Sequence, residues 1–265
     1  MATTLWIALG LLAAASVLPK TRNCRFILGG LGWISLSVYW LMQPEAYFRM
    51  QDYFKAFLAI IAAIFSVFIA KITFEAKNGK EGDHLLISLS RAASAGGLIY
   101  FLFAEVEPLN TGIISVVTGQ AIGITRTFGF PVAQVAWNQL AVNGMLVEII
   151  LACTAIESIA LFTGIISATD APVARKVRAF MISVPVIYIL NLLRVSFTAS
   201  AYGFGWFGTP EESFHISEHF ITRAGSILAL MVISYMVLKL LPEISDMIEG
   251  ILKMMKLEFR RLSVR

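Results

Sequence analysis

The chain has 265 residues, 58% of them hydrophobic and 14% charged, with a formal net charge of +4 and a mean hydropathy of +0.78. Such apolarity excludes a disordered chain and an ordinary soluble domain, and predicts an all-α polytopic membrane protein whose solvent is lipid. Its Lys and Arg fall between apolar runs, where they set orientation, so no nucleic-acid partner is expected; the two cysteines, Cys24 and Cys153, make no disulfide framework.

Apolar runs long enough to cross a hydrocarbon layer of about 30 Å, or nearly so, occur at 3–19, 26–43, 53–70, 85–103, 150–169, 179–201 and 219–241. About seven transmembrane helices are therefore expected. The first run has no basic residue before it and is followed by PKTRNCR, the reverse of a secretory signal peptide, so it reads as a retained helix. Most basic residues lie in four segments: Lys20, Arg22 and Arg25; Lys71, Lys77 and Lys80; Arg175, Lys176 and Arg178; and the tail from Lys239. The alternate loops carry Glu45, Asp52, Glu105, Glu107, Glu211, Glu212 and Glu218. The positive-inside rule then puts the N-terminus outside and the C-terminus in the cytoplasm, a parity that seven crossings satisfy. Arg91, one or two turns from the cytoplasmic boundary, reads as a snorkelling anchor, and His84 as a solvated loop residue. Trp40, Trp137 and Trp206 fit interfacial belt positions.

The outer segment from Ala104 to Ile149 is too long and too apolar for an idle loop, so it should be folded. Within it GIISVVTGQAIGI is too short to span and reads as an interfacial or re-entrant helix. Downstream, FGFPVAQVAWNQLAVNGMLVEII has β-branched and aromatic residues on both sides of Asn143-Gly144, a pair suited to a type I′ turn because both accept positive φ. A small extracytoplasmic hairpin leading into the helix of Cys153 is expected. Residues 1–242 read as a single transmembrane domain. In the tail, 243–265, Ile244, Met247, Ile248, Ile251, Met254 and Met255 share a face opposite basic residues, the pattern of a helix lying on the cytoplasmic leaflet.

Ionisable groups within spans are costly and need a partner or a task. Counted from the cytoplasmic ends of their runs, Cys153 lies 16 residues from Thr169, Arg194 lies 15 from Ala179 and Arg223 lies 16 from Lys239. At about 1.5 Å per residue all three reach roughly 22 to 24 Å, one layer under the outer face. Neighbouring guanidinium groups and a helix N-terminus favour a thiolate, and a planar guanidinium can also donate to the oxyanion formed when a peptide carbonyl is attacked. His219, one turn before Arg223, and His215 are the candidate proton donors. Glu157, at i+4 from Cys153, either orients an arginine or neutralises it. No metal is expected, because two histidines at i+4 without further convergent ligands make a weak site. No cofactor is implied either. A transporter, the reading from a different class, should carry inverted repeats and broken helices at midplane, and neither is visible.

These residues resemble the exosortase and archaeosortase family of membrane enzymes, closest to its archaeosortase A subfamily. The resemblance rests on ACTAIES for the cysteine motif, NLLRVSF for the arginine motif and HFITRAGS for a third motif carrying arginine or histidine, and it spans 128–230. It implies Cys153 as nucleophile, Arg194 as an activating or oxyanion-stabilising residue and Arg223 as the third catalytic position. Bacterial members usually have serine and glycine after the cysteine and histidine at the third position; Thr154-Ala155 and Arg223 stand there in this chain and favour the archaeal branch. The implied activity is a cysteine transpeptidase or protease that removes a C-terminal sorting signal, made of a motif (Pro-Gly-Phe in this branch), a transmembrane helix and a basic tail, from secreted surface proteins. It couples the new C-terminus to a membrane lipid, or, as an exosortase-type endopeptidase, releases it free. The implied partners are those surface proteins and a lipid acceptor, at the cell membrane with the site near the extracytoplasmic face.

Overall fold

The computed structural model describes residues 2–18, 24–49, 51–76 and 83–263. Lys20, Arg22, Lys77 and Lys80, counted above toward orientation, lie outside the described residues. The helices are α1 (Ala2–Val17), α2 (Cys24–Leu41), α3 (Pro44–Arg49), α4 (Tyr53–Ala76), α5 (Asp83–Glu105), α6 (Glu107–Thr127), α7 (Ile156–Ala168), α8 (Val173–Phe204), α9 (Pro210–His215), α10 (Thr222–Leu240) and α11 (Pro242–Ser263). Three strands, β1 (Val132–Ala136), β2 (Gln139–Val142) and β3 (Met145–Glu148), lie between α6 and α7.

The protein is an all-α polytopic membrane protein. Among the described residues five helical segments are long and apolar enough to cross a membrane: Cys24–Arg49, Tyr53–Ala76, His84–Glu105, Val173–Phe204 and Pro210–Leu240. The other two expected runs form shorter apolar helices, Thr3–Val17 and Ile156–Ala168. In a lipid solvent a helix satisfies its own backbone, which is why nearly every apolar run takes this form.

Packing divides the chain into two compact units. The first holds Met1–Leu98, Gly164–Ala171 and Pro242–Arg265. There α1 and α2 approach closely because position 32 is glycine: a Cβ on Gly32 would meet the Leu12 side chain at 2.9 Å and the Leu12 nitrogen at 3.1 Å. Trp33 donates from Nε1 to Ser90 Oγ at 3.0 Å, and that hydroxyl donates to the Leu86 carbonyl at 2.9 Å, so the indole is satisfied inside the bundle. Arg25, counted with a basic loop, is instead buried in the first turn of α2 with its guanidinium 4.8 Å from the Phe26 ring centroid. Arg91 bonds Asp170, in the loop after α7, at 3.2 Å and the Ala168 carbonyl at 3.4 Å, and Asp170 also lies 3.8 Å from His84. On α11, Ile244 is buried and Met247, Ile251, Met254 and Met255 are partly covered, while Ile248 is exposed.

The second unit holds Ile99–Thr163 and Pro172–Leu241. The helix expected at GIISVVTGQAIGI forms but is longer than that run: α6 has 21 residues, opened by Glu107 and Pro108. Asn110, Gly112, Gly119, Gln120 and Gly123 dilute its apolarity, and it is absent from the five long apolar segments. Its apolar side is nonetheless continuous, and Ile114, Val117, Ala121 and Ile122 form one core with Val132, Leu140, Val142, Ile149, Leu192, Val195 and Ala199. That core joins α6, the sheet and α8.

The expected hairpin forms β2 and β3, with Val142 paired to Met145 across Asn143 (φ 50°) and Gly144 (φ 82°). A further antiparallel strand, β1, pairs with β2 through Val132 and Val142, with a bulge between Gln134 and Ala136. Arg126 at the end of α6 donates to the Val132 carbonyl from Nε at 3.3 Å and Nη2 at 3.2 Å. On the other side Asn143 Nδ2 donates to the Gly203 carbonyl of α8 at 3.0 Å. The sheet is thereby fastened to both helices, and its last strand delivers the chain to Cys153.

Candidate functional site

Cys153 lies in a short 3-10 turn, Leu151–Thr154, and not in the first turn of a helix as expected from the sequence. Its amide donates to the Ile150 carbonyl at 2.8 Å. Ala155 then takes a left-handed conformation (φ 60°, ψ 10°), breaking the run before α7 starts at Ile156. Thr154 bridges the break: its hydroxyl donates to the Leu151 carbonyl at 2.6 Å and accepts from the Ile156 amide at 3.4 Å, a local side-chain turn just ahead of α7. The break cancels the i+4 argument linking Cys153 and Glu157, because the two do not share one continuous helix.

Helix α8 supplies the wall. Asn191, Arg194 and Thr198 recur at spacings of three and four residues, which sets them on one helical face. Asn191, 7% exposed, donates from Nδ2 to the Cys153 carbonyl at 2.7 Å. Arg194 donates from Nη2 to Oε1 of Glu218, and Thr198 donates from Oγ1 to Glu218 Oε2 at 3.3 Å.

Glu218 enters on the third element. The helix expected from 219 starts nine residues earlier, at Pro210, where Thr209 and Glu212 form a reciprocal capping box: Thr209 Oγ1 accepts from the Glu212 amide at 3.3 Å and Glu212 Oε2 from the Thr209 amide at 2.9 Å. Between α9 and α10 the backbone passes through a π-helical segment, Ile216–Ile221, whose wider turn changes the phase of the helix. Glu218 sits in that segment and is turned toward α8.

Two cavities meet at Arg194. One, of about 620 Å³, is lined by Cys153, Arg194, Thr198, Tyr202, His215 and Glu218 along with Leu146, Val147 and Glu148 of β3. The other, of about 470 Å³, is lined by Glu157, Asn191 and Arg194 and, from α10, by Thr222, Gly225, Ser226 and Ala229. The sequence-predicted residues are thus divided. Cys153, Arg194 and His215 share the first cavity, and Glu157 joins Arg194 in the second. His219 is exposed and its ring lies 4.8 Å from that of His215. Arg223 is exposed and lines neither cavity; its neighbour Thr222 faces the second one instead.

Sequence reasoning overlooked Glu218, Asn191 and Thr198. For Glu218 a signal existed: Thr-Pro-Glu-Glu at 209–212 is a helix start, and extending the helix from there puts a carboxylate inside an apolar segment, where it needs a partner. Asn191 and Thr198 carried only their spacing from Arg194 along the same face.

With this geometry in view, the chain compares with known proteins as follows. A family model described as transmembrane exosortase matches residues 2–238. Archaeosortase A of Haloferax volcanii is 28% identical over an alignment covering 94% of this chain and 92% of that protein. Archaeosortase A of Natronomonas pharaonis is 21% identical, covering 92% of this chain and 85% of that protein. No solved structure matches the chain.

Proposed function

The chain belongs to the transmembrane exosortase family, and from that premise we propose that this multi-pass membrane enzyme, which processes sorted proteins, is a cysteine transpeptidase acting on surface proteins with a C-terminal tripartite signal. The observation that carries the reading is that Cys153 and Arg194 line one cavity, which a histidine, His215, lines as well. A thiol, a permanent cation and a titratable proton donor are the three groups that acyl transfer from a peptide needs.

In the proposed reaction His215 takes the proton of the Cys153 thiol as the sulfur attacks the carbonyl carbon of the scissile peptide in the larger cavity. Of the guanidinium nitrogens of Arg194 only Nη2 is engaged among the described residues, so Nε and Nη1 remain to donate to the oxyanion. The carbon–nitrogen bond breaks, His215 protonates the departing amine, and the helix with its basic tail leaves. The resulting thioester is attacked by a nucleophile carried on a membrane lipid, whose proton passes through His215 to the departing sulfur, so the thiol is restored and the new C-terminus is joined to the lipid. For Arg223, the third position implied by the family resemblance, we propose contact with the substrate or lipid headgroup, which suits its exposure on α10. The active site would face the extracytoplasmic side, with the N-terminus outside and the C-terminus in the cytoplasm.

Mass analysis of the product C-terminus tests the proposal. Purified enzyme and a tripartite-tailed substrate should give a lipid-modified product that disappears with Cys153→Ala. A free carboxylate in the presence of lipid would remove the transfer step, and undiminished cleavage by Cys153→Ala would remove the nucleophile.

A further inference from the structure

We propose that Glu218 is a positioning residue that, anchored by Thr198, holds the Arg194 guanidinium at the wall of the cysteine cavity. The inference rests on the reading of Cys153 and Arg194 as reacting groups and adds a residue which that reading leaves unused. A carboxylate inside an apolar helical segment is expensive unless both its oxygens are satisfied. Here both are: Oε1 accepts from Arg194 Nη2 and Oε2 accepts from Thr198 Oγ1. Arg194 and Thr198 are four residues apart on α8, so the two anchors are themselves fixed by one helix. The arrangement is half-buried, with the Arg194 and Glu218 side chains 31% and 25% exposed, where solvent screens the pair less than at a surface.

Two further facts give the contact a direction. Glu218 is delivered by the π-helical segment Ile216–Ile221, a departure from regular helix that places it against α8. Glu218, Arg194, Thr198 and Cys153 all line the same cavity. Arginine has several rotatable bonds, and with Nη2 tied to Glu218 its two remaining donor nitrogens are left for an incoming oxyanion. Glu218 itself touches no reacting atom in this scheme; it acts through Arg194.

The sign of its effect on the thiol separates positioning from mere proximity. A carboxylate that is only a neighbour opposes ionisation of a thiol, so deleting it would speed alkylation. If instead it holds Arg194 in place, deleting it lets the guanidinium wander and alkylation slows. The test is the rate of Cys153 alkylation by iodoacetamide at one fixed pH, followed by mass spectrometry in the full-length protein carrying Cys24→Ser. Glu218→Ala should slow the reaction on the order of tenfold, the ratio given by one unit in a thiol equilibrium. Thr198→Val, which keeps the carboxylate and removes one anchor, should slow it by a smaller factor, and Glu218→Asp should recover part of the loss. In an Arg194→Gln background Glu218→Ala should produce no further slowing.

Alkylation of Glu218→Ala that is unchanged or faster overturns the inference, as does additional slowing in the Arg194→Gln background. Should Glu218→Ala fail to accumulate, an unchanged rate in Thr198→Val overturns it equally. The assay uses no peptide substrate, so a Cys153→Ala protein that still cleaves would defeat the proposed reaction without touching this result.

Discussion

The side-chain amide of Asn191 donates to the main-chain carbonyl of Cys153 at 2.7 Å, so helix α8 fixes the backbone of the cysteine turn as well as supplying the arginine beside it. Cysteine and arginine belong to different elements, 41 residues apart in sequence, and this bond holds the first in place relative to the second.

Asn191→Ala therefore leaves a carbonyl without its donor in a poorly solvated place. The expected cost is about 1 to 3 kcal/mol. Part of it should appear as a loss of cleavage, about tenfold in kcat, because the sulfur is no longer fixed. Paired measurements of turnover and of thermal unfolding in detergent check this: a fall in unfolding temperature with kcat unchanged would confine Asn191 to folding.

Ala155 bears the backbone strain of the site. A non-glycine residue in the left-handed region costs about 1 to 2 kcal/mol, part of which glycine would give back through the freedom of its unfolded chain. Ala155→Gly should raise stability by about 0.5 to 1 kcal/mol with cleavage retained. Ala155→Val, with a β-branched side chain at positive φ, should destabilise by more than about 1 kcal/mol and depress cleavage with it. Chemical or thermal unfolding of the two variants measures both signs.

Gly203 is where the hairpin rests on α8. A Cβ there would lie 2.5 Å from Val142 Cγ1 and 2.6 Å from the Val142 carbonyl oxygen, and the backbone atom cannot swing aside. Gly203→Ala should cost about 1 to 3 kcal/mol by overpacking and should displace the turn at Asn143-Gly144. Limited proteolysis within 132–148 reads the displacement directly; a variant as resistant as wild type would show that the strand ends yield without consequence.

Arg194→Lys keeps the positive charge and loses the planar fork. Lysine cannot bond Glu218 and an oxyanion through separate, rigidly placed nitrogens, so turnover should fall by about a hundredfold, near 2.7 kcal/mol, with KM changed far less. Steady-state kinetics separate the two parameters. A change confined to KM would assign Arg194 to substrate binding alone.

Much of the membrane architecture was legible because lipid forces apolar runs into helices, and Asn143-Gly144 announced its turn through the positive φ that both residues tolerate. That Cys153 and Arg194 line one cavity could be expected for a different reason: counted along their separate runs, a thiol and a guanidinium came out at one level, and a charge within a span needs a partner. What stayed hidden depended on local geometry without a composition signal. Nothing in an alanine marks the left-handed break at Ala155, so Cys153 and Glu157 looked like partners on one helix. Glu218 was read as part of an acidic loop because the span seemed to start after it, although the Thr209–Glu212 capping box marked the earlier start. Arg223 lines neither cavity, and the π-helical segment just before it is a change of helical phase that no periodicity count anticipates.

The central claim is that the Cys153 sulfur attacks a peptide carbonyl, and intact-mass analysis of the enzyme after brief reaction with a tripartite-tailed substrate, quenched in acid, tests it most directly. The account predicts an adduct equal in mass to the substrate segment upstream of the cleaved bond, mapped to Cys153, sensitive to hydroxylamine and absent from Cys153→Ala. Product formation at wild-type rate by Cys153→Ala, with no adduct on any residue, would contradict it.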